Sequence, residues 1–591
     1  MGRLGAKDPP RRRWAGPRCS RMTVALCALT LAACTNGAPA LPQPTGLASA
    51  QALRFPIQHD VSTLDPAMID SETEAEVAHN LFDGLLKYDS NLNISPDIAA
   101  TMPSISPDGA TYTFKLRTDV TFSNGDKVTS KDVLYSWNRA AAMQGPYAVN
   151  LSAILGYDKV SASQATGPAL ETLLEKNDPS VTMSGLTAPD DATVVVKLTG
   201  AAGWFDSAIA QPAVAGMIVD ENVVKTNFEG WWSKPETLIG TGAYRMSAHT
   251  ADQSMDFAAI TNWWGRPKPT LTSIHVEVVS DPAVALTRYS RGDFDLYGYA
   301  AFGPAASDVA RILANPSQKA QVVLEVKNKT YFASFNMVAD ARRPAGGPFT
   351  LDQGKPAHDL RLAFTLSVDL NKLAKDLCAD VVCIPATGGV IPKGLAGYLG
   401  DGNDPLAAFD PAKARSLLRS ADPDGSKTKN LVYTYDPENP FNEPTAKLLQ
   451  AEWQANLGVT VALQAIPHTR FITERLKGTY VLSRDGWAAD YDHPQDWFDN
   501  LWGQTAGCPD MSCSSGYQTH AYDELLARAD AEPLSMAITD YKTLSRQLID
   551  DVAYIPLFYT VDPFLFKPYL LGAGSNNMFD YYWNQIQITA H

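Results

Sequence analysis

The sequence predicts a mixed α/β protein with more than one hydrophobic core. Short strand-like runs alternate with amphipathic helical stretches. No repeat of fixed period is visible, which argues against solenoids and propellers. At 591 residues the chain exceeds what a single core ordinarily fills. Apolar residues make up 45% and charged residues 19%, a balance that argues against a disordered or coiled-coil chain.

The elements follow in order. Ser106-Pro107-Asp108-Gly109 reads as a turn, and Tyr112, Phe114 and Leu116 behind it alternate with polar residues, a strand with one buried face. Asn124-Gly125 turns the chain again. Thr129 and Asp132 make a capping box, and Val133, Leu134, Trp137 and Ala141 share one face of the helix it opens. Asp410-Pro411 opens another amphipathic helix with Ala414, Leu417 and Leu418. Pro444 to Leu457 forms a third, with Leu448, Leu449, Trp453 and Leu457 on one side and Gly458 as its C-cap. Asp422-Pro423-Asp424-Gly425 begins like a calcium loop but lacks the downstream ligands, so it reads as a surface turn. Trp231-Trp232 and Trp263-Trp264 read as core packing.

The N-terminus bears on compartment. Arg11, Arg12, Arg13, Arg18 and Arg21 precede the apolar run Thr23 to Ala33, and Leu31-Ala32-Ala33 leads into Cys34. A basic head, a short apolar stretch and small residues before the cut describe a secretory signal peptide over residues 1–33. The cysteine at that point resembles a bacterial lipobox, with Cys34 diacylated as the mature N-terminus. Two acyl chains suffice for stable attachment to a membrane. Residues 34–50, rich in Pro, Gly and Ala, read as a lipidated tether. Removing 1–33 takes seven basic and one acidic side chain from totals of 49 and 64, leaving 42 against 63 and a net charge of −21. Such a polyanion is repelled by nucleic acid and acidic headgroups.

Of seven cysteines, Cys19 and Cys27 leave with the leader and Cys34 is the lipid site. Cys378, Cys383, Cys508 and Cys513 remain, an even number that suggests disulfides in an exported protein. Cys378–Cys383 and Cys508–Cys513 are the preferred bridges among three connectivities. A zinc site of four thiolates is the alternative.

The order of short motifs then matches a family. Thr63-Leu64-Asp65-Pro66 is followed by Asn80 to Leu86, Ser106 to Arg117, Phe122 to Gly125 with Thr129 to Val133, Gly240 to Tyr244, Arg291 to Asp295, Phe335-Asn336, and Arg361 to Asp369. From about Leu53 onward this resembles the large solute-binding proteins of peptide ABC importers, extracellular solute-binding family 5, and most of all their oligopeptide-binding members. The resemblance implies a type II periplasmic-binding-protein fold: two hinged α/β lobes with an additional third lobe and mixed sheets. The implied layout is lobe I over 51–82, 238–325 and 561–591, an inserted lobe II over 83–237, and lobe III over 326–560. It also implies a monomer that takes peptides outside the membrane and passes them to permease subunits, with no cofactor and no metal.

The same resemblance supplies candidate site residues. Arg484-Asp485-Gly486-Trp487-Ala488-Ala489-Asp490-Tyr491 is similar to the ligand clamp of oligopeptide binders. In that clamp the carboxylate at Asp490 pairs with the peptide ammonium, and Gly486, Trp487 and Ala488 line the site. Arg475 and Arg484 stand where arginines approach the peptide C-terminus. Tyr147 and the segment Asp70-Ser71-Glu72 match pocket-lining positions. The chemistry suits each assignment: a buried ammonium needs a carboxylate, and the arginine fork can hold a carboxylate bidentately. His468 stands where these binders often carry tryptophan.

An enzyme is disfavoured. The nine histidines are scattered, and no His-Glu-x-x-His motif, Gly-x-Ser-x-Gly elbow or Walker loop is present. The alternatives are another cargo on the same fold (haem, a metal chelate or a cell-wall peptide, with His468 and His493 near the site) and a sensor that presents peptides.

Overall fold

The computed structural model describes residues 46–210, 216–299, 302–337, 346–503, 515–517, 519–574, 576, 578 and 582–591. Cys34, the leader, Cys508 and Cys513 lie outside the described residues. Among the described residues no helix is long and apolar enough to cross a membrane.

Three main sheets organise the chain. One holds Ala52–Ile57, Ser273–Val278, Ser254–Ala259 and Tyr244–Thr250 in that spatial order. Its first pair is parallel and the others are antiparallel. A second, antiparallel sheet orders Ser104–Ile105, Thr111–Lys115, Thr193–Lys197 and Leu186–Asp190. The largest, seven-stranded and mixed, runs Leu296–Tyr297, Tyr554–Phe566, Val322–Phe335, Leu482–Ala488, Val432–Tyr435 and Ala462–Ala465. Its seventh strand, Cys383–Pro385, also pairs with Tyr554–Phe566.

Local chemistry places most elements where the residues predict. Tyr112, Phe114 and Leu116 are buried on one face of their strand. Thr129 and Asp132 close a capping box on the helix Ser130–Met143. Gly458 ends the helix Asn442–Leu457 at φ 74°, a left-handed conformation that glycine adopts without steric cost. That helix opens two residues before Pro444, which fits proline's tolerance of the first turn. Asp422 accepts from the amides of Lys427 and Thr428, so its loop is a hydrogen-bonded turn. Trp231, Trp263 and Trp264 are buried, and the last two both donate to the carbonyl of Thr241. Cys378 and Cys383 are bridged, joining the helix Leu370–Cys378 to the strand Cys383–Pro385.

Two large cores result. The first gathers side chains from Leu53 to Val276 with Phe564, Phe566, Trp583 and Ile586. The second spans Tyr331 to Met578. The strand Tyr554–Phe566 runs through both: Tyr554, Ile555, Leu557 and Phe558 lie in the second core, Phe564 and Phe566 in the first, while Val322–Phe335 gives Tyr331, Phe332, Ala333 and Phe335 to the second. The two strands pair over residues 322–326 and again over 330–334, with a register shift between Val326 and Thr330. A bulge of this kind leaves residues unpaired and re-aims their side chains. Here Lys327, Asn328 and Lys329 take no register partner in Tyr554–Phe566.

One buried ion pair explains a motif that local structure does not. Arg139 Nη1 donates to Asp65 Oδ1 at 2.8 Å and Nη2 to Oδ2, while Trp231 Nε1 donates to the same carboxylate at 3.3 Å. The guanidinium also lies 4.7 Å from the Phe228 ring centroid. Removing one member of such a pair strands a buried charge, which costs about 3–5 kcal/mol. Asp65→Ala is therefore expected to lose about that much stability in chemical denaturation, whereas breaking a surface pair such as Lys447–Glu443, exposed on both sides, is expected to leave the denaturation midpoint nearly unchanged.

Candidate functional site

The site is built at the end of the strand Leu482–Ala488. This strand pairs antiparallel with Val322–Phe335, setting Lys329 opposite Ala488, Thr330 opposite Trp487 and Tyr331 opposite Gly486. A Cβ on Gly486 would come within 2.7 Å of the Thr330 carbonyl oxygen, so the position admits no side chain without a shift. Past the strand, Ala489 N donates to Asn328 O at 2.9 Å and Asn328 Nδ2 returns a bond to Ala489 O at 2.7 Å. The bulge thus supplies the clasp that delivers the next residue, Asp490.

Asp490 is half-buried, and no described lysine, arginine or histidine pairs with it. Burial pushes its carboxyl up to about 7. Directly beside it, Asp496 Oδ2 accepts from the Asp490 amide at 3.1 Å and from Trp487 Nε1 at 2.8 Å. Asp496 is fully buried; burial first, and then the charge of Asp490, raises its carboxyl well above the ordinary range. Two desolvated carboxyls side by side resist ionising together. A cation entering this corner would relieve both.

Other parts of the chain reach the same cleft. The Tyr147 hydroxyl is raised by burial and then by Asp490, Glu72, Asp70 and Asp496, which places these groups within electrostatic reach of one another. Glu72 Oε2 is buried without a hydrogen-bond partner among the described residues. Burial raises Glu72, Lys329 pulls it back, Asp562 raises it further and Lys327 opposes. Asp562 is likewise raised by burial and opposed by Lys327 and Lys329. Asp490, Asp496 and Glu72 thus lie within electrostatic reach of the Tyr147 hydroxyl, and the Lys327 and Lys329 ammonium groups within reach of Glu72 and Asp562. Lys329 has no described carboxylate within ion-pair distance of it.

The remaining candidates divide. Trp487 holds Asp496 in place through its indole. Arg484 Nε donates to Asn442 Oδ1 at 3.1 Å, and its guanidinium lies 5.3 Å from the Tyr331 ring centroid. Arg475 points instead at Asp485, Nη1 to Oδ1 3.0 Å, and Asp485 is fully buried. The Arg475 charge, carried on the helix His468–Leu476, is neutralised by that strand carboxylate. Ser71 caps the helix Glu72–Ala78 by accepting from Glu74 N, while Asp70 is exposed. Burial lowers His493 to about 3, and its Nδ1 caps the helix Pro494–Trp502 by accepting from Gln495 N. His468 is half-exposed, 3.7 Å from Asp436.

Sequence reasoning missed Asp496, Lys329, Lys327 and Asp562. The first lies six residues past Asp490 behind the Trp487 contact, and the others depend on a bulge that leaves no local mark. Nearby Lys-Asn-Lys in a strand was the one available signal, since charges rarely enter such runs without a partner.

Comparison with known proteins bears on this geometry. A profile of bacterial extracellular solute-binding proteins, family 5 (middle), matches residues 93–507. The chain belongs to that family. The periplasmic murein peptide-binding protein MppA of Escherichia coli is 27% identical over 570 residues, covering 94% of this chain and 96% of its own. The periplasmic oligopeptide-binding protein OppA of the same organism is 24% identical, covering 97% and 99%. An unliganded open form of MppA superposes with a TM-score of 0.76 at 25% identity, over 93% of this chain and 99% of the other. The fold is that of the type II periplasmic binding proteins, and the family and its neighbours are solute-binding proteins, not enzymes.

A raised carboxyl has a defined effect on stability. Between 3.8 and about 7 the folded state binds a proton at Asp490 that the unfolded chain has released. Its stabilising share is therefore present at low pH, is lost as pH rises through that window, and stays lost above it. Asp490→Asn should match the wild type near pH 4 and exceed it by at least about 1 kcal/mol at pH 8 in thermal melts. An unchanged difference across that range would contradict the assignment.

Proposed function

We propose that this chain is the lipid-anchored, extracytoplasmic binding component of an ABC importer, capturing short peptides and delivering them to permease subunits. Its lobes in this reading are 51–82 with 238–325 and 561–591, the inserted 83–237, and 326–560. The observation that carries it is the half-buried Asp490 carboxylate, raised to about 7 with no described cation beside it.

A peptide is a zwitterion whose backbone donors and acceptors repeat whatever its sequence. Asp490 takes the α-ammonium, and Asp496, Glu72 and Tyr147 reinforce the negative corner. Arg484 offers a cation toward the carboxylate end, where Arg475, bound to Asp485, acts by positioning. Main-chain groups at Gly486 and Ala488 add strand-like bonds, and bridging waters satisfy varied side chains. Because the ligand in this reading meets Asp490 on 326–560 and Glu72 and Tyr147 on the segments before it, it favours the shut arrangement over the open one. Attachment through Cys34 keeps the protein at the outer face of the membrane.

The relatives support the class: MppA and OppA are named for murein peptides and oligopeptides respectively. The MppA similarity favours a second reading within it, a cell-wall peptide as cargo, whose extra carboxylates the exposed parts of Lys329 and Arg484 would suit.

Mass spectrometry of ligand released from the purified protein tests this. Peptides are expected from the wild type, with muropeptide-derived masses marking the second reading and wholly non-peptide material refuting both. Asp490→Ala should weaken a tripeptide with a free amino terminus about 100-fold or more, the scale of unpairing a buried charge. For the wild type, affinity should fall up to about tenfold per pH unit below 7, because binding then requires deprotonating Asp490. A flat profile in calorimetry between pH 5 and 7 would sink the ammonium assignment.

A further inference from the structure

The turn that carries Asp490 is held from two directions. On the strand side Asn328 clasps Ala489. On the other side lie residues of the inserted segment 83–237. The Trp204 ring stacks on Tyr491, centroids 6.1 Å apart and planes 11° from parallel. Tyr88 Oη accepts from the Asp492 amide at 3.2 Å while donating to Ser207 O at 3.1 Å. Trp204 caps the short helix Phe205–Ile209 to which Ser207 belongs, so both partners belong to one small unit. That unit is tied to its own sheet by Tyr112, whose hydroxyl donates to Ala202 O at 2.9 Å.

The backbone approach is equally close. Gly203 N donates to Asp530 O at 2.8 Å. A Cβ on Gly203 would stand 1.8 Å from Glu532 O and 2.3 Å from its carbonyl carbon, so the two main chains meet with no room for a methyl group. Tyr491 is in turn buried, its hydroxyl donating to Gln495 at 2.5 Å. A ring pinned at its face and at its hydroxyl transmits the position of the inserted segment to the residue next to it.

We propose that Trp204 and Tyr88 are positioning residues for Asp490, so that the inserted segment sets the aim of the carboxylate without touching the ligand ammonium. This rests on the reading of Asp490 given above. The inserted segment is then part of the recognition device, acting through the 491–492 turn. Trp204 excludes water from the Tyr491 face, and Tyr88 fixes the amide that follows; loss of either lets the carboxylate swing by a fraction of an ångström, enough to weaken a charged contact in a desolvated site.

Calorimetric titration of the full chain with tri-alanine and N-acetyl-tri-alanine tests it. Trp204→Ala is expected to weaken tri-alanine about tenfold, the scale of a small misplacement, and to leave the acetylated peptide nearly unaltered, narrowing the ratio between them. Trp204→Phe, which keeps a ring to stack, should restore that ratio. Gly203→Ala, which deletes no contact and only wedges the two main chains apart, should act in the same direction. Should Trp204→Ala fail to fold, Tyr88→Phe removes one hydroxyl and is expected to narrow the ratio likewise. Equal affinities in wild type and variants, or equal weakening of both peptides, would overturn the proposal. Asp490→Asn serves as the control: if it too leaves the ratio intact, the reading of Asp490 fails, whereas a lost ratio there with intact ratios elsewhere refutes only the positioning role.

Discussion

Everything about the cleft depends on two paired strands, Val322–Phe335 and Tyr554–Phe566, and on the defect between them. Tyr554–Phe566 contributes side chains to both large cores, and Val322–Phe335 is paired along it. Continuous pairing would make a stiff ladder. The register shift between Val326 and Thr330 interrupts it, and the three residues that skip the ladder to Tyr554–Phe566 take three different places. Asn328 fastens the neighbouring strand's end, Lys329 stands half-buried opposite Ala488, and Lys327 lies buried 4.9 Å from the Phe564 ring centroid. A bulge bends and twists a strand, and this irregularity is what brings Asn328 onto the end of Leu482–Ala488.

Charge is handled in two distinct ways. Asp65 with Arg139 and Asp485 with Arg475 are buried carboxylates whose partners belong to the fold. Their charges are neutralised once and for all, and they serve stability. Asp490 and Asp496 are desolvated without such partners, which raises both. A protein that keeps carboxyls in this state loses stability at neutral pH and gains a corner that a cation would enter favourably. In the proposed function the cargo supplies the missing charge, which couples capture to the protonation of the site.

Much of the candidate site was legible in the sequence, though only as a resemblance. The run from Arg484 to Tyr491 placed Asp490 and Trp487 together because eight consecutive residues are neighbours in any fold. The roles of its arginines were not legible, since strand alternation sends Arg484 and Asp485 to opposite faces and only the partner strand decides which face is the cleft. Ser71 and His493 looked available for ligand and prove to cap helices, a local task that their flanking residues hinted at. Asp496 was invisible because its meaning comes from the indole of Trp487, a contact made around a turn.

By itself the sequence determined what short-range chemistry controls: the capping box at Thr129, the glycine stop at 458, the buried face of Tyr112 and Phe114, and the alternation that makes the chain α/β. Each rests on residues within about one turn or one strand, where steric and hydrogen-bond preferences act directly. Only the tertiary structure decided the pairing of Asp65 with Arg139, the bulge at 327–329, the stacking of Trp204 on Tyr491 and the gathering of Glu72, Tyr147 and Asp490. These join residues dozens to hundreds of positions apart, and no local preference reports which distant side chain will fill the other half of a contact.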